Sequence, residues 1–112
     1  MPTAQFEIFI GQHEFMYFRL RSADGDILLK SESYASKRAV VRGIESVQEN
    51  APDPTCYDVR QAANGSFHFA ILAANGHVIA HSSVLYETEE ECGVAMLAVQ
   101  QAVPTATVTD LT

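Results

Sequence analysis

The sequence predicts a single α+β domain, with one antiparallel sheet, two helices packed on one of its faces, and internal pseudo-twofold symmetry. Three observations predict it. The chain is written twice: residues 6–52 and 57–104 follow one plan, offset by 51 up to Ser33/Val84 and by 52 from Tyr34/Tyr86 onward. Each copy then holds a segment alternating in period two and an Asp-Gly or Asn-Gly dipeptide, the signature of a half-solvated hairpin. After each hairpin, apolar residues recur at helical spacing behind a capping residue. At 112 residues the chain, 1–112, is one domain's worth. Halves of about 50 residues would be marginal folders alone, so the two copies are expected to share one core.

The first strand is Phe6-Glu-Ile-Phe-Ile10, rich in β-branched and aromatic residues, and Tyr57–Val59 is its counterpart. Glu14–Ser22 alternates, with Met16, Phe18 and Leu20 on one face and Tyr17, Arg19 and Arg21 on the other. Asp24-Gly25 suits a two-residue type I′ turn, which makes cross-strand pairs sum to 49: Leu20/Leu29, Arg19/Lys30 and Arg21/Leu28. With Asn75-Gly76 as the second turn the pairs sum to 151. Phe69/Ser82, Ile71/Ala80 and Phe67/Val84 then face the core, and Ala70/His81, Leu72/Ile79 and His68/Ser83 face outward. The extra residue near Val84–Tyr86 predicts a bulge or a longer connection.

Helices are expected over about 36–50 and 88–102. Ser36 is the first N-cap, and Val40, Ile44, Val47 and Ala51 form the buried stripe. Thr88-Glu-Glu-Glu91 is a capping box, with its carboxylates at the positive end of the helix dipole. Cys92, Met96, Val99 and Val103 repeat the stripe. The segment Asn50–Thr55, with two prolines, links the copies, and about 105–111 reads as a further strand.

These residues resemble the YegP-like tandem-repeat family of small bacterial proteins of unknown function. The matching string is Phe18-Arg-Leu-Arg-Ser-Ala-Asp-Gly25, Ser31-Glu-Ser-Tyr34, Ser36-Lys37 and Gly43–Val47 through Asn50-Ala-Pro52. Phe69, Ala73–Gly76, Ile79, Ser82 and Tyr86 continue it in the second copy. The second copy departs after Tyr86, with Ala95-Met96 where the first has Gly-Ile. The resemblance implies two β-β-β-α-β units in one antiparallel sheet, with terminal strands exchanged between units. It implies no established activity and supplies no catalytic residue.

Formal net charge is -7, the reverse of the basic excess usual in nucleic-acid binders. The first 54 residues carry six basic and eight acidic side chains; the rest carry one and six. No apolar run is long enough to span a bilayer, and no export signal is read at the N-terminus, so a cytoplasmic protein with reduced Cys56 and Cys92 is expected. Cys92, on the apolar stripe, reads as a small buried hydrophobe.

Three surface features weigh on function. Tyr17, Arg19, Arg21 and Lys30 form a basic-aromatic patch on the outer sheet face, the best binding surface the sequence offers. His68 and His81 share that face on adjacent strands; a zinc site there would need further ligands that spacing does not supply, so solvated or partly packed histidines are the better reading. Leu28, Leu72 and Ile79, also placed outward, suggest self-association into a homodimer. No nucleophile motif, acid pair or phosphate loop is present. The expected function is a non-enzymatic binding or protein-interaction module without cofactor, its protein partner undefined. The alternatives are weak nucleic-acid binding through the outer face and metal-dependent activity at the histidine pair.

Overall fold

The computed structural model describes residues 3–112. The strands are β1 (Gln5–Ile10), β2 (Met16–Arg21), β3 (Ile27–Lys30), β4 (Tyr57–Gln61), β5 (Phe67–Leu72), β6 (Val78–Ser82) and β7 (Thr107–Asp110). The helices are α1 (Lys37–Asn50) and α2 (Glu89–Ala102). All strands join one sheet in the order β4-β5-β6-β3-β2-β1-β7. The centre of symmetry is the short seam between β3 and β6, registered as Leu29↔Ser82 and Lys30↔His81.

Symmetry explains where β7 goes. β4 follows α1 and pairs antiparallel with β5 of the second copy. β7 follows α2, and the twofold would place it antiparallel beside β2. That edge is already held by β1, which pairs with β2 from Gln5↔Arg21 to Ile10↔Met16. β7 is therefore displaced one place outward, keeps its direction, and pairs parallel with β1 from Gln5↔Thr107 to Ile8↔Asp110. Among the described residues this is the one parallel pair in an otherwise antiparallel sheet. The exchange of terminal strands implied by the resemblance is present, since each helix delivers the strand after it to the other copy's half.

The helices begin where expected. Ser36 Oγ accepts from the Ala39 amide and Thr88 Oγ1 from the Glu91 amide, both at 3.1 Å. α1 lies on β2, β5 and β6, and α2 on β3 and β5, so each helix bridges the two copies. Val40, Ile44, Val47 and Ala51 are buried with Cys92, Val99 and Val103 around Phe6, Phe18, Leu20, Leu29, Phe69 and Ile71. Met96 packs partly against this core. The identical pair Ser31/Ser82 has a physical role: each buried hydroxyl accepts an amide hydrogen bond from the facing phenylalanine, Phe18 at 2.8 Å and Phe69 at 3.3 Å.

The hairpin turns differ from expectation. Gly25 N–H donates to Ser22 O and Ser22 N–H to Asp26 O, which makes a three-residue loop rather than a type I′ turn. In these two turns only the glycine takes positive φ, +98° at Gly25 and +83° at Gly76, so Asp24 and Asn75 avoid the strain a type I′ turn would impose. The added residue is absorbed as a bulge next to the turn. Leu20↔Leu29 and Arg19↔Lys30 keep the expected register, but Arg21 faces Ile27, not Leu28. Likewise Ala70↔His81 and Ile71↔Ala80 hold, but Leu72 faces Val78, not Ile79. A bulge sets two residues against one and so reverses the facing of its neighbours. Ile79 consequently sits in the buried core at 9% exposure, and Leu28 packs partly against that core. The outward apolar patch Leu28–Leu72–Ile79 does not form.

The one-residue insertion gives a longer connection after β6. It expels Val84, expected in the core, to 56% exposure and brings Tyr86 opposite Phe67. A third turn of the same construction joins β4 to β5, with Gly65 at φ +90°. Asn64-Gly65 is its sequence signal.

Gly43 and Gly93 stand in the two helices in opposite situations. A Cβ at Gly43 would lie 2.6 Å from Tyr34 Cζ and 3.1 Å from Phe18 Cε2, whereas one at Gly93 meets nothing within 4 Å. Gly43→Ala should cost about 1–3 kcal/mol through overpacking. Gly93→Ala should gain up to about 1 kcal/mol from helix propensity. Thermal denaturation should therefore move the two variants in opposite directions.

Candidate binding face of the sheet

One line of side chains crosses all seven strands on the face away from the helices. Read strand to strand it is Asp58, Ala70, His81, Lys30, Arg19, Glu7 and Thr109. Around its centre lies an open groove of about 580 Å³, lined by Phe9, Tyr17, Arg19, Ile27, Lys30 and His81 among others. Three of the four residues expected to form a binding surface, Tyr17, Arg19 and Lys30, line it; Arg21 lies next to it on β2.

The arginines are not free. Glu7 Oε1 accepts from Arg19 Nε at 2.7 Å and from Arg21 Nε at 3.0 Å, and only 12% of the Glu7 side chain is exposed. Arg21 also donates to Gly25 O at 2.7 Å. Burial pushes the Glu7 carboxyl up, but the two guanidinium groups outweigh it and hold the pKa below its ordinary value of 4.5. Glu32, further along the chain from Lys30, makes no ion pair among the described residues. Glu7 and Phe9 were missed because the β1–β2 connection, with its left-handed His13 and Glu14, has no turn signature that fixes register. Their alternation along Phe6–Ile10 was the available clue, since it puts both on one face.

Phe9 stacks on Tyr17 with ring centroids 5.7 Å apart and planes 18° apart, and Arg19 Cζ sits 4.6 Å over the Phe9 ring. The aromatic pair is thus already stacked and capped by a cation. Lys30 differs. Its register neighbours are Arg19 and His81, and it makes no ion pair among the described residues.

His68 faces Arg60 and His81 faces Ala70 and Lys30. No three His, Cys, Asp or Glu side chains lie close enough to share an ion among the described residues. His81 Nδ1 is 3.1 Å from Ser82 O, while His68 Nδ1 is buried without a partner. Cys92 is buried as expected; burial pushes its thiol pKa up and Glu89 adds to the shift, the condition of an inert cysteine.

Comparison with known proteins is decisive about kinship. The family described as "Domain of unknown function (DUF1508)" matches twice, over residues 14–58 and 62–110. The chain belongs to this family. It is 35% identical over 108 residues to UPF0339 protein PA0329 of Pseudomonas aeruginosa, covering 96% of this chain and 97% of that protein. It is 41% identical over 80 residues to UPF0339 protein YegP of Escherichia coli K12, covering 70% and 72%. The solution NMR structure of yegP from E. coli superposes with a TM-score of 0.90 at 31% identity, over 99% of this chain and 95% of that one. That of UPF0339 protein SO3888 from Shewanella oneidensis gives 0.88 at 29%, over 97% and 92%. The DUF1508 matches start each unit at the hairpin and end it on the strand after the helix. No helix among the described residues is long and apolar enough to cross a membrane.

Glu7 makes stability depend on pH. Its folded pKa lies below the ordinary value of 4.5, so the pair stabilises the fold above that value and the contribution drains away as pH falls through the lowered one. Glu7→Gln should cost about 1–2 kcal/mol at neutral pH and flatten the acid limb of the stability profile. Urea unfolding of both proteins between pH 2 and pH 7 measures this.

Proposed function

We propose that this chain is a non-enzymatic binding module whose ligand surface is the outer face of the sheet, and that it takes a small anion in the groove centred on Lys30. The observation that carries the reading is the placement of Lys30. Like charges directly opposite on a sheet destabilise it, yet Lys30 lies opposite Arg19 and makes no ion pair of its own among the described residues. This occurs in a chain of net charge -7, where a carboxylate partner would be easy to supply. An anion in the groove would relieve the repulsion, and Phe9 and Ile27 would give its apolar part a wall.

Nucleic-acid binding is the weaker reading. Base stacking needs open aromatic faces, but Phe9 is occupied by Tyr17 and Arg19, and Glu7 holds the Nε groups of both arginines that would follow a phosphate backbone.

Calorimetric and NMR titrations at low salt would separate these readings, using inorganic phosphate, a mononucleotide, a dicarboxylate and a labelled single-stranded oligonucleotide. Saturable binding of a small anion is expected. Lys30→Ala should weaken it about tenfold, and Glu7→Gln, which releases two guanidinium groups, should strengthen it. Oligonucleotide binding with a steep salt slope would replace this reading with the nucleic-acid one. Silence from every anion would remove the groove from consideration.

A further inference from the structure

The sheet ends on β4, and the backbone of that edge is ready to pair. Phe67 N–H donates to Tyr86 O, Tyr86 N–H donates to Phe67 O, and Phe69 N–H donates to Ser82 Oγ. Phe67 and Phe69 therefore direct their main-chain groups toward β6. By the alternation of an antiparallel ladder, His68 and Ala70 direct theirs toward β4, where they meet Arg60 and Asp58. Tyr57, Val59 and Gln61 are left with amide and carbonyl groups pointing away from the sheet.

We propose that this edge binds a second copy of the same chain, antiparallel and centred on Val59, so that two seven-stranded sheets run on as one. The argument is self-complementarity. A twofold axis at Val59 makes Tyr57 pair with the partner's Gln61, Val59 with the partner's Val59, and Gln61 with the partner's Tyr57. These are the three residues whose main-chain groups face outward, so every free donor meets an acceptor. Asp58 and Arg60 fall between them at the non-hydrogen-bonded positions, where facing Cα atoms approach to about 4.5 Å. There Asp58 lies opposite the partner's Arg60, and Arg60 opposite the partner's Asp58. In the single chain these two side chains have only each other, at 3.0 Å along the strand and each 46% exposed. Val59, 37% exposed on the helix-side face, would be covered by its own copy.

The opposite edge lacks this property. β7 is four residues long, and its acidic residue Asp110 is already engaged by Lys37 and Thr112. Pairing β4 with β7 of another copy would also build an open chain of molecules, whereas pairing β4 with β4 closes at two. The association does not involve the groove on the outer face, so it stands or falls apart from ligand binding.

A five-residue edge buries less than a standard interface, which places the dissociation constant in the range of about 10–1,000 μM. Sedimentation velocity from about 10 μM to 1 mM should show a monomer–dimer equilibrium. Val59→Pro removes the central outward N–H, and proline is tolerated on an edge strand where that N–H faces solvent, so the variant should fold and remain monomeric. Asp58→Arg and Arg60→Asp should each weaken self-association about tenfold or more, while an equimolar mixture of the two should regain it as a heterodimer. Circular dichroism melts confirm that each variant is folded. Wild-type protein that stays monomeric at 1 mM overturns the proposal. So does a dimer that survives Val59→Pro, or a mixture of the two charge variants that fails to associate.

Discussion

The fold depends on how two half-domains are held across a seam only two registered pairs long, Leu29↔Ser82 and Lys30↔His81. So few ladder bonds cannot join two units that are each too small for a core of their own. The helices supply what the seam lacks. α1 reaches from β2 to β5 and β6, and α2 spans β3 and β5, so each apolar stripe is buried against both copies at once. Separating the halves would expose Phe18, Phe69, Leu29 and Ile44 together. The seam is therefore protected by burial of about 25 cal/mol per Å² rather than by its own hydrogen bonds.

The same arrangement explains which residues the copies keep in common. Ser31 and Ser82 put a hydroxyl where the strand turns away, and each satisfies a buried phenylalanine amide that would otherwise be orphaned. Tyr34 and Tyr86 close the hairpins by bridging to Met16 and Phe67. Gly25 and Gly76 supply positive φ at the turns. Apart from Ser31, these shared residues do not line the groove of the outer face, which is free to differ: arginines and a lysine in one half, histidines and Ala70 in the other.

Most of this was legible in the sequence because duplication gave two readings of each element. Both helices, their caps and their buried stripes follow from spacing alone, and the register far from the turns follows from the alternation. The bulges were not legible. Asp24-Gly25 and Asn75-Gly76 fit either turn geometry, and the choice turns on strain at one non-glycine residue, which composition does not report. That choice moved Ile79 from surface to core. On the outer face, Tyr17, Arg19, Arg21 and Lys30 could be grouped from the β2–β3 hairpin. Glu7, Phe9 and His81 could not be joined to them, because they arrive through the β1–β2 loop and the central seam. Both joints pair segments that no short turn connects.

The displaced strand β7 bears on what the repeating unit is. β1, β4 and β7 recur at the same point in the cycle, one before each hairpin and one after the last helix. The unit can be cut before β1, leaving β7 over, or before β2, leaving β1 over, and the DUF1508 matches follow the second cut. Because β1 and β7 run in the same direction, either has the polarity that the β2 edge requires. The repeat is thus a cycle without a first member, and β1, β4 and β7 are three occurrences of one position in it.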